Sequence, residues 1–181
     1  QYLTNLDIMM VYRLDRFGRG GHHRPFNAVG IPGIRIMETH EHYDRQHQDL
    51  RTEDGVMYGD VLSGVNFDYA RKVTALNVVT LASLAAAPAP PSGVLIEGQV
   101  SPDTTLQWQR VSGAAGYRVH WRLTTEAQWT HSRWVGDVDA ATLENVVIDN
   151  YLFGVSSVSE AGFSSPVVFP GPIGSFKTDE Y

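Results

Sequence analysis

Residues 15–49 read DRFGRGGHHRPFNAVGIPGIRIMETHEHYDRQHQD, and the organisation of the first half of the chain is predicted from this stretch. It contains five of the seven histidines of the chain, His22, His23, His40, His42 and His47, and its carboxylates include Glu38, Glu41, Asp44 and Asp49. Imidazole and carboxylate groups are ligands that zinc accepts, and they also serve as general acids and bases. The stretch therefore predicts a metal or catalytic site, against the ordinary alternative of a solvated polar loop.

The residues around the histidines predict a scaffold for them. Residues 30–37 are apolar apart from Arg35, which is typical of a strand buried on both faces. Residues 6–14 are also apolar, and their length fits either a strand or the end of a helix. Residues 39–64 are long and polar, and we expect an irregular loop with a functional role there.

Several of these elements resemble the C-terminal part of the catalytic domain of the dinuclear-zinc exopeptidases, the family of the bacterial secreted aminopeptidases and glutamate carboxypeptidase. The matching elements, in chain order, are Gly20-Gly21-His22-His23, Pro25-Phe26, Gly30-Ile31-Pro32-Gly33, Glu38 and Gln46-His47-Gln48-Asp49. The resemblance covers residues 1 to about 86. It implies an α/β fold for this half, as the C-terminal portion of an α/β/α sheet domain.

The resemblance implies that His47 is a metal ligand, with His42 as the alternative. A carboxylate that orients the imidazole would follow or precede it, either Asp49 or Asp44. His22 stands where the family has Asp, and Gly33 stands where Ala is usual, a replacement expected to be harmless.

Other residues carried over from the family, His23 and Glu38, would lie near the site without binding metal. No catalytic residue is expected in the chain, because the general base, the bridging carboxylate and the other ligands of the family lie upstream. The cofactor implied is zinc, with two ions in the complete site and a single ligand here. A local site made of His40, His42 and His47 is the alternative that needs no other segment.

The second half of the chain begins after a predicted helix at residues 65–86, which Asn66 or Asp68 caps and whose second half we expect to be buried. Residues 87–92, APAPPS, predict an extended linker and a domain boundary. Residues 171–181 predict a frayed tail.

Residues 93–170 predict an all-β sandwich, because short β-branched and aromatic segments alternate with turn residues. The predicted strands are residues 104–110, 116–123, 130–135, 145–148 and 151–158. These segments resemble a fibronectin type III domain, with Leu106-Gln107-Trp108 and Gly116-Tyr117-Arg118-Val119 as the central matches. Trp108, Tyr117 and Val119 are predicted core residues, whereas Trp121, Trp129 and Trp134 are candidates for an exposed binding face.

Composition limits the classes of partner. The net charge of −6 and the pI of about 5.6 argue against nucleic acid or an anionic membrane surface as a partner. The absence of cysteine excludes disulfides and thiolate chemistry. No run of about 18 apolar residues is present, so no membrane span is predicted. The resemblance implies a secreted or periplasmic location and a peptide substrate.

Two functions follow as expectations. In the first, the chain is the C-terminal segment of a zinc aminopeptidase that hydrolyses peptide bonds with a metal-activated water. Its partner would be the missing N-terminal part of the peptidase, and the chain alone would be inactive. In the alternative, the first half is a degenerate, non-catalytic module, and the sandwich docks a protein or polysaccharide partner. The sandwich is also a candidate for restricting access of long substrates to the active site.

Overall fold

The computed structural model describes residues 5–11 and 16–171. The chain divides into two compact units, Gln1–Ala75 and Leu76–Tyr181, and the division falls inside a long helix rather than in the predicted linker. The predicted tail lies outside the described residues beyond Gly171, and so do residues 12–14 of the first apolar segment. No helix in the described part of the chain has the length and apolarity needed to cross a membrane.

The first unit contains little regular structure. Helix α1 spans His23–Ala28, strands β1 and β2 span Arg51–Glu53 and Val56–Tyr58, and single 3-10 turns span Tyr43–Arg45 and Leu62–Gly64. The two strands form an antiparallel hairpin whose register pairs Glu53 with Val56. The hairpin turn is Asp54-Gly55, with φ angles of 49° and 81°, the left-handed pair that a tight two-residue turn requires.

The strand predicted for residues 30–37 is wrong. These residues form no strand in the structure, and Ile34 is 75% exposed. Their backbone contacts are local. The amide of Ile31 donates to the carbonyl of Phe26, and the side chain of Asn27 forms hydrogen bonds with both the amide and the carbonyl of Gly33. A strand needs a ladder partner for its backbone groups, and the described residues of this unit supply none at this position. The sheet of an α/β/α domain is therefore absent from the part of the unit that the structure describes.

The predicted helix forms as α2, Phe67–Ala86. The side chain of Asn66 accepts a hydrogen bond from the amide of Tyr69 at 3.0 Å, so Asn66 is the residue that caps it. The expected burial of its second half is wrong, because no residue of α2 is buried and Leu81 is 66% exposed.

The second unit contains two three-stranded antiparallel sheets. One has the order β3-β4-β7, with strands Ser92–Glu97, Thr104–Gln109 and Ala140–Leu143. The other has the order β6-β5-β8, with strands His131–Gly136, Gly116–Leu123 and Tyr151–Val158. The predicted β-sandwich is confirmed. The strand predicted for residues 145–148 is wrong, because the third strand of the first sheet ends at Leu143 and a 3-10 turn, Ile148–Asn150, follows.

The sandwich core comes from alternate residues that face inward from both sheets, as the pleat of a strand requires. Its buried members are Val94, Leu106, Trp108, Tyr117, Val119, Leu143, Phe153 and Val155. The predicted core positions Trp108, Tyr117 and Val119 are thereby confirmed. Burying each large apolar side chain contributes about 1.5–3 kcal/mol. The Tyr117 hydroxyl also accepts a hydrogen bond from the amide of Val111 at 2.5 Å, which satisfies its polar end.

Candidate metal-ligand loop

The Gly-Gly-His-His element leads directly into α1. His22 is exposed and immediately precedes the helix, whereas His23 is its first residue and is half-buried. The imidazole of His23 lies against Gly21 so closely that a Cβ at Gly21 would be 2.7 Å from its Nδ1. A side chain at position 21 would therefore displace the His23 imidazole. The two histidines differ in environment, since only His23 is held by its surroundings.

Gly33 is also constrained by this element. The Asn27 side chain accepts a 2.6 Å hydrogen bond from the Gly33 amide, and its Nδ2 donates to the Gly33 carbonyl at 3.2 Å. A Cβ at Gly33 would lie 3.2–3.3 Å from His23 and Asn27. That spacing is tight, so an alanine here requires a small shift of its neighbours.

His47 lies on a loop whose backbone is strained at that residue. It is exposed and has a φ of 54°, in the left-handed region that non-glycine residues seldom occupy. The 3-10 turn Tyr43–Arg45 and the extended residue Gln46 precede it. Such outliers persist only where the surrounding structure fixes them, and they concentrate at functional sites.

One side of this loop is held by the end of the β1–β2 hairpin. Gly59 is buried with a φ of 83°, and its amide donates to the carbonyl of Asp44 at 2.9 Å. Its own carbonyl accepts a hydrogen bond from Nη1 of Arg45 at 3.1 Å. A Cβ at Gly59 would lie 2.9 Å from Leu50 and 3.0 Å from the carbonyl oxygen of Gln48. The backbone on both sides of His47 therefore packs directly against Gly59.

The other side is held by a cluster of arginines around Glu41. Its carboxylate accepts hydrogen bonds from Arg16 at 3.0 and 3.2 Å, from Arg19 at 3.0 Å and from Arg35 at 3.3 Å. The Glu41 side chain is only 6% exposed. Arg19 also donates from Nη2 to the side-chain oxygen of Gln46 at 2.8 Å. This arginine therefore connects the carboxylate to the residue before His47.

The electrostatic environment keeps Glu41 ionised. Burial by itself opposes ionisation, but the hydrogen bond with Gln46 and the charges of Arg16 and Arg19 outweigh it. The pKa of Glu41 therefore lies below its usual value. Hydrogen bonds between charged partners are stronger than those between neutral ones.

The predicted site residues are not gathered into a metal site, and all of them except the half-buried His23 are exposed. Among residues 5–11 and 16–171, no group of three or more His, Asp or Glu side chains is placed to hold a metal ion. The predicted site residues to which this applies are His22, His23, Glu38, His47 and Asp49. The local three-histidine site of His40, His42 and His47 is therefore wrong.

The sandwich tryptophans are mostly engaged in packing. Trp129 contacts Phe169 and His120, with ring centroids 5.2 and 5.8 Å apart. Trp121 stacks on His131 at 5.2 Å. Trp134 is 46% exposed and lies over Gly116, where a Cβ would be 2.5 Å from its ring. Of the three tryptophans predicted to form an exposed binding face, only Trp134 is substantially exposed.

His120 and Ser156 form a polar contact on the sheet β6-β5-β8. His120 is half-buried, and its Nε2 lies 2.8 Å from the Ser156 hydroxyl. Burial and, to a lesser extent, the charge of Arg118 lower the pKa of His120 to about 4. The histidine is therefore neutral at physiological pH.

Two features of the site escaped the sequence analysis. Glu41 was predicted only as one acid of several, although the four arginines within residues 15–35, three of which pair with it, are the signal for a paired carboxylate. The hairpin that ends at Tyr58, immediately before Gly59, was missed inside a predicted irregular loop. The dipeptide Asp54-Gly55 between Arg51–Glu53 and Val56–Tyr58 is the signal that predicts it.

The chain is similar over nearly its whole length to several fungal proteins. A protein of Leptosphaeria maculans is 44% identical over 173 residues, covering 94% of this chain and 40% of that protein. A protein of Pyrenophora teres f. teres is 41% identical over 172 residues, covering 93% and 35%. One of Pyricularia oryzae is 40% identical over 177 residues, covering 93% and 35%. All three are named probable zinc metalloproteases.

This similarity concerns a part of each relative, because the chain spans 35–40% of their lengths. No protein-family profile matches the chain. Among solved structures, an Fn3-like protein from Clostridium thermocellum is 25% identical with a TM-score of 0.39, covering 45% of this chain and 85% of that one. The fn3 domain of human collagen alpha-1(XX) is 20% identical with a TM-score of 0.40, covering 46% and 82%.

Proposed function

We propose that these 181 residues belong to a zinc-dependent peptidase, to which they contribute one metal ligand, His47. The observation that carries the proposal is the conformation of this residue: an exposed histidine in the left-handed region, fixed by packing on both sides. The names of the fungal relatives support the metal and the reaction class. Below, the extended protein means a polypeptide that contains these residues together with the further residues that the relatives have.

The described residues do not by themselves fit a zinc site. A catalytic zinc requires about three protein ligands and an open position, and no such group is present in the described part of the chain. The extended protein would therefore supply the remaining ligands. Bound zinc would polarise the scissile carbonyl and activate water. Without the additional length, this chain is expected to be inactive.

The finer assignment within the peptidases rests on the order of elements around His47. A Gly-Gly-x-His element, a Gly-x-Pro segment, Glu38 and then His47 with Asp49 follow one another as in the dinuclear-zinc exopeptidases. On this basis we propose a secreted, two-zinc aminopeptidase that removes residues from peptide N-termini. Asp49, exposed on the His47 loop, is the proposed partner of the imidazole.

The additional length is also the proposed partner of the exposed apolar surface of residues 5–86. In water such surface is costly, and monomeric proteins seldom expose large contiguous patches of it. The exposed apolar residues of this part include Ile8, Met9, Met10, Val11, Phe17, Phe26, Val29, Ile31, Ile34, Val78, Leu81 and Leu84. The additional length would then cover the apolar side chains of residues 30–37 and of the second half of α2, which the described chain leaves exposed.

Substitution of the histidines in the extended protein tests the proposal. His47→Ala is expected to remove bound zinc and abolish hydrolysis of an unblocked peptide amide, whereas His40→Ala serves as a control on an exposed histidine of the same segment. His42→Ala tests the alternative ligand. The measurements are zinc content after dialysis and turnover of substrates with free and blocked N-termini.

Full turnover and full zinc content in His47→Ala would refute the ligand assignment. Equal cleavage of blocked and unblocked substrates would refute the aminopeptidase assignment while leaving the metallopeptidase in place. An extended protein that binds no zinc would favour the non-catalytic module instead.

A further inference from the structure

One sheet of the sandwich, β6-β5-β8, differs in charge from the rest of the chain. The chain has a net charge of −6, but Asp and Glu are absent from all three of these strands, which contain Arg118, Arg122 and Arg133. The acids nearest to β6 in the sequence, Glu126 and Asp137, lie beyond its ends, and Asp137 is paired with a neighbouring arginine at 3.3 Å. The sheet is therefore a basic surface on an acidic protein, and it favours an anionic partner.

The outward face of this sheet presents an aromatic ring beside a guanidinium group. Arg118 pairs in register with Trp134, and both lie on the face opposite the core residue Val119. The Trp134 ring lies against Gly116, where an added Cβ would be 2.5 Å from it, and Trp134 remains 46% exposed. Nη1 of Arg118 lies 3.4 Å from the Ser132 hydroxyl. Exposed tryptophan and arginine side chains are the types that most often dominate the binding energy of protein interfaces.

Strand β6 is also an edge strand. It pairs with β5 on one side, and no strand in the described part of the chain lies on its other side. Its pairing with β5 is regular from His131 to Trp134 and shifts after Trp134. An edge strand directs every second N–H and C=O away from its sheet, where another polypeptide strand can pair with them. A polysaccharide lacks the peptide backbone that would continue this ladder, so the edge favours a polypeptide.

We propose that β6 binds an extended, acidic segment of another polypeptide, which adds to the sheet as a further strand. Main-chain hydrogen bonds along residues 131–134 would hold the segment, and Arg118 would pair with its carboxylates. A second copy of this chain is disfavoured, because pairing two β6 strands would bring their arginines and histidines together with no acid between them. This role goes beyond the proposed peptidase activity, since it involves neither a metal nor the first unit.

The test uses the 181-residue chain and a fluorescein-labelled peptide of about ten residues in which threonine and glutamate alternate, so that all its carboxylates lie on one side of an extended strand. A peptide of alternating proline and glutamate has the same charge but cannot continue a ladder. A peptide of alternating threonine and lysine reverses the charge. Fluorescence anisotropy is expected to show binding of the threonine–glutamate peptide, at least about tenfold weaker binding of the proline–glutamate peptide and none of the lysine peptide.

Amide hydrogen exchange locates the bound peptide. Exchange is expected to slow in β6 and not in β3, which is an edge strand of the other sheet and ends at the acidic residue Glu97. Trp134→Ala and Arg118→Gln are each expected to weaken binding about tenfold. Arg71→Gln, at an exposed arginine of α2, is the matched control and should leave the affinity within about twofold of wild type. Arg118→Gln remains informative even where Trp134→Ala disturbs the packing over Gly116.

Several results would overturn the proposal. Absence of binding would do so, as would unchanged affinity in both sandwich variants or slowed exchange in β3 instead of β6. Equal affinity for the proline–glutamate peptide, or displacement of the peptide by alginate at the same carboxylate concentration, would show a general anion-binding face without strand addition. Slowed exchange of β6 in a dimer of this chain, or in the extended protein without peptide, would assign the edge to a second copy or to the additional length.

Discussion

At the scale of single residues, two glycines with nearly the same backbone conformation have different neighbours. Gly55 has a φ of 81° and open space where a Cβ would lie, whereas Gly59 has a φ of 83° and close contacts with the His47 loop. At both positions the left-handed backbone conformation disfavours any residue that has a Cβ. Only at Gly59 would the side chain also push on residues 48–50.

Gly59→Ala is therefore expected to loosen the His47 loop more than Gly55→Ala does. The backbone penalty common to both substitutions is about 1–2 kcal/mol, and the contact at 2.9 Å adds to it only at Gly59. Amide hydrogen exchange of residues 44–50 measures the effect. Faster exchange in Gly59→Ala with little change in Gly55→Ala is the expected result, and equal acceleration in both variants would contradict it.

His120 supplies a second prediction at this scale, because its pKa is lowered from the usual 6.5 to about 4 by burial and by the charge of Arg118. Between these two values the unfolded chain binds a proton that the folded sandwich does not. The contribution of neutral His120 to the free energy of unfolding is therefore fully present above pH 6.5 and is lost as the pH drops toward 4. With allowance for its partial exposure, the loss is about 2 kcal/mol.

Urea unfolding followed by tryptophan fluorescence tests this, since all four tryptophans, Trp108, Trp121, Trp129 and Trp134, lie in the sandwich. In His120→Gln, the free energy of unfolding is expected to fall less across this pH window than it does in the wild type. His131→Gln removes a histidine from the same sheet and leaves the His120–Ser156 contact intact. A decline of unchanged size in His120→Gln would show that another group causes it.

At the scale of elements, local signals predicted well where the partner of an element lies within the chain. The sandwich strands Gly116–Leu123 and Tyr151–Val158 agree with their predicted bounds, because the two strands pair with each other along their whole length. The helix α2 begins where Asn66 caps it. Capping and alternation are local, so they can be read from the sequence.

The same signals failed where the partner lies elsewhere. The apolar run at residues 30–37 predicts a buried strand, but burial and pairing depend on neighbours that the described chain does not provide. The candidate site was likewise predicted only in part. The sequence indicated His47, His22, His23, Glu38 and Asp49 through a resemblance, whereas the contacts that shape the loop, at Glu41, Gln46 and Gly59, depend on tertiary proximity.

At the scale of the whole molecule, the two units differ in how complete they are. The sandwich has a core of buried side chains drawn from both of its sheets. The described residues of the first unit, in contrast, bury only Gly59. A unit without a core of its own is typical of a part that packs on a larger domain. The relatives, of which this chain spans 35–40%, have length enough for such a domain.

This difference makes the cost of one substitution depend on chain length. Leu81, on α2, is 66% exposed here, and we propose that the extended protein covers it. Leu81→Ala should change the stability of the 181-residue chain by no more than about 0.5 kcal/mol, because alanine favours helix and a side chain that is 66% exposed has little buried surface to lose. In the extended protein the same change should cost about 2–5 kcal/mol, as for a buried leucine.

Leu95→Ala is the matched control, since Leu95 lies on the sandwich strand β3 and is 58% exposed. Its effect should be the same at both chain lengths, because nothing in the proposal covers that strand. Urea unfolding midpoints of both variants at both lengths give the comparison. If Leu81→Ala is equally mild in the two proteins, α2 is not covered by the additional length. The exposed apolar side chains of α2 would then need a different partner, and the proposal that the additional length covers this helix would be refuted.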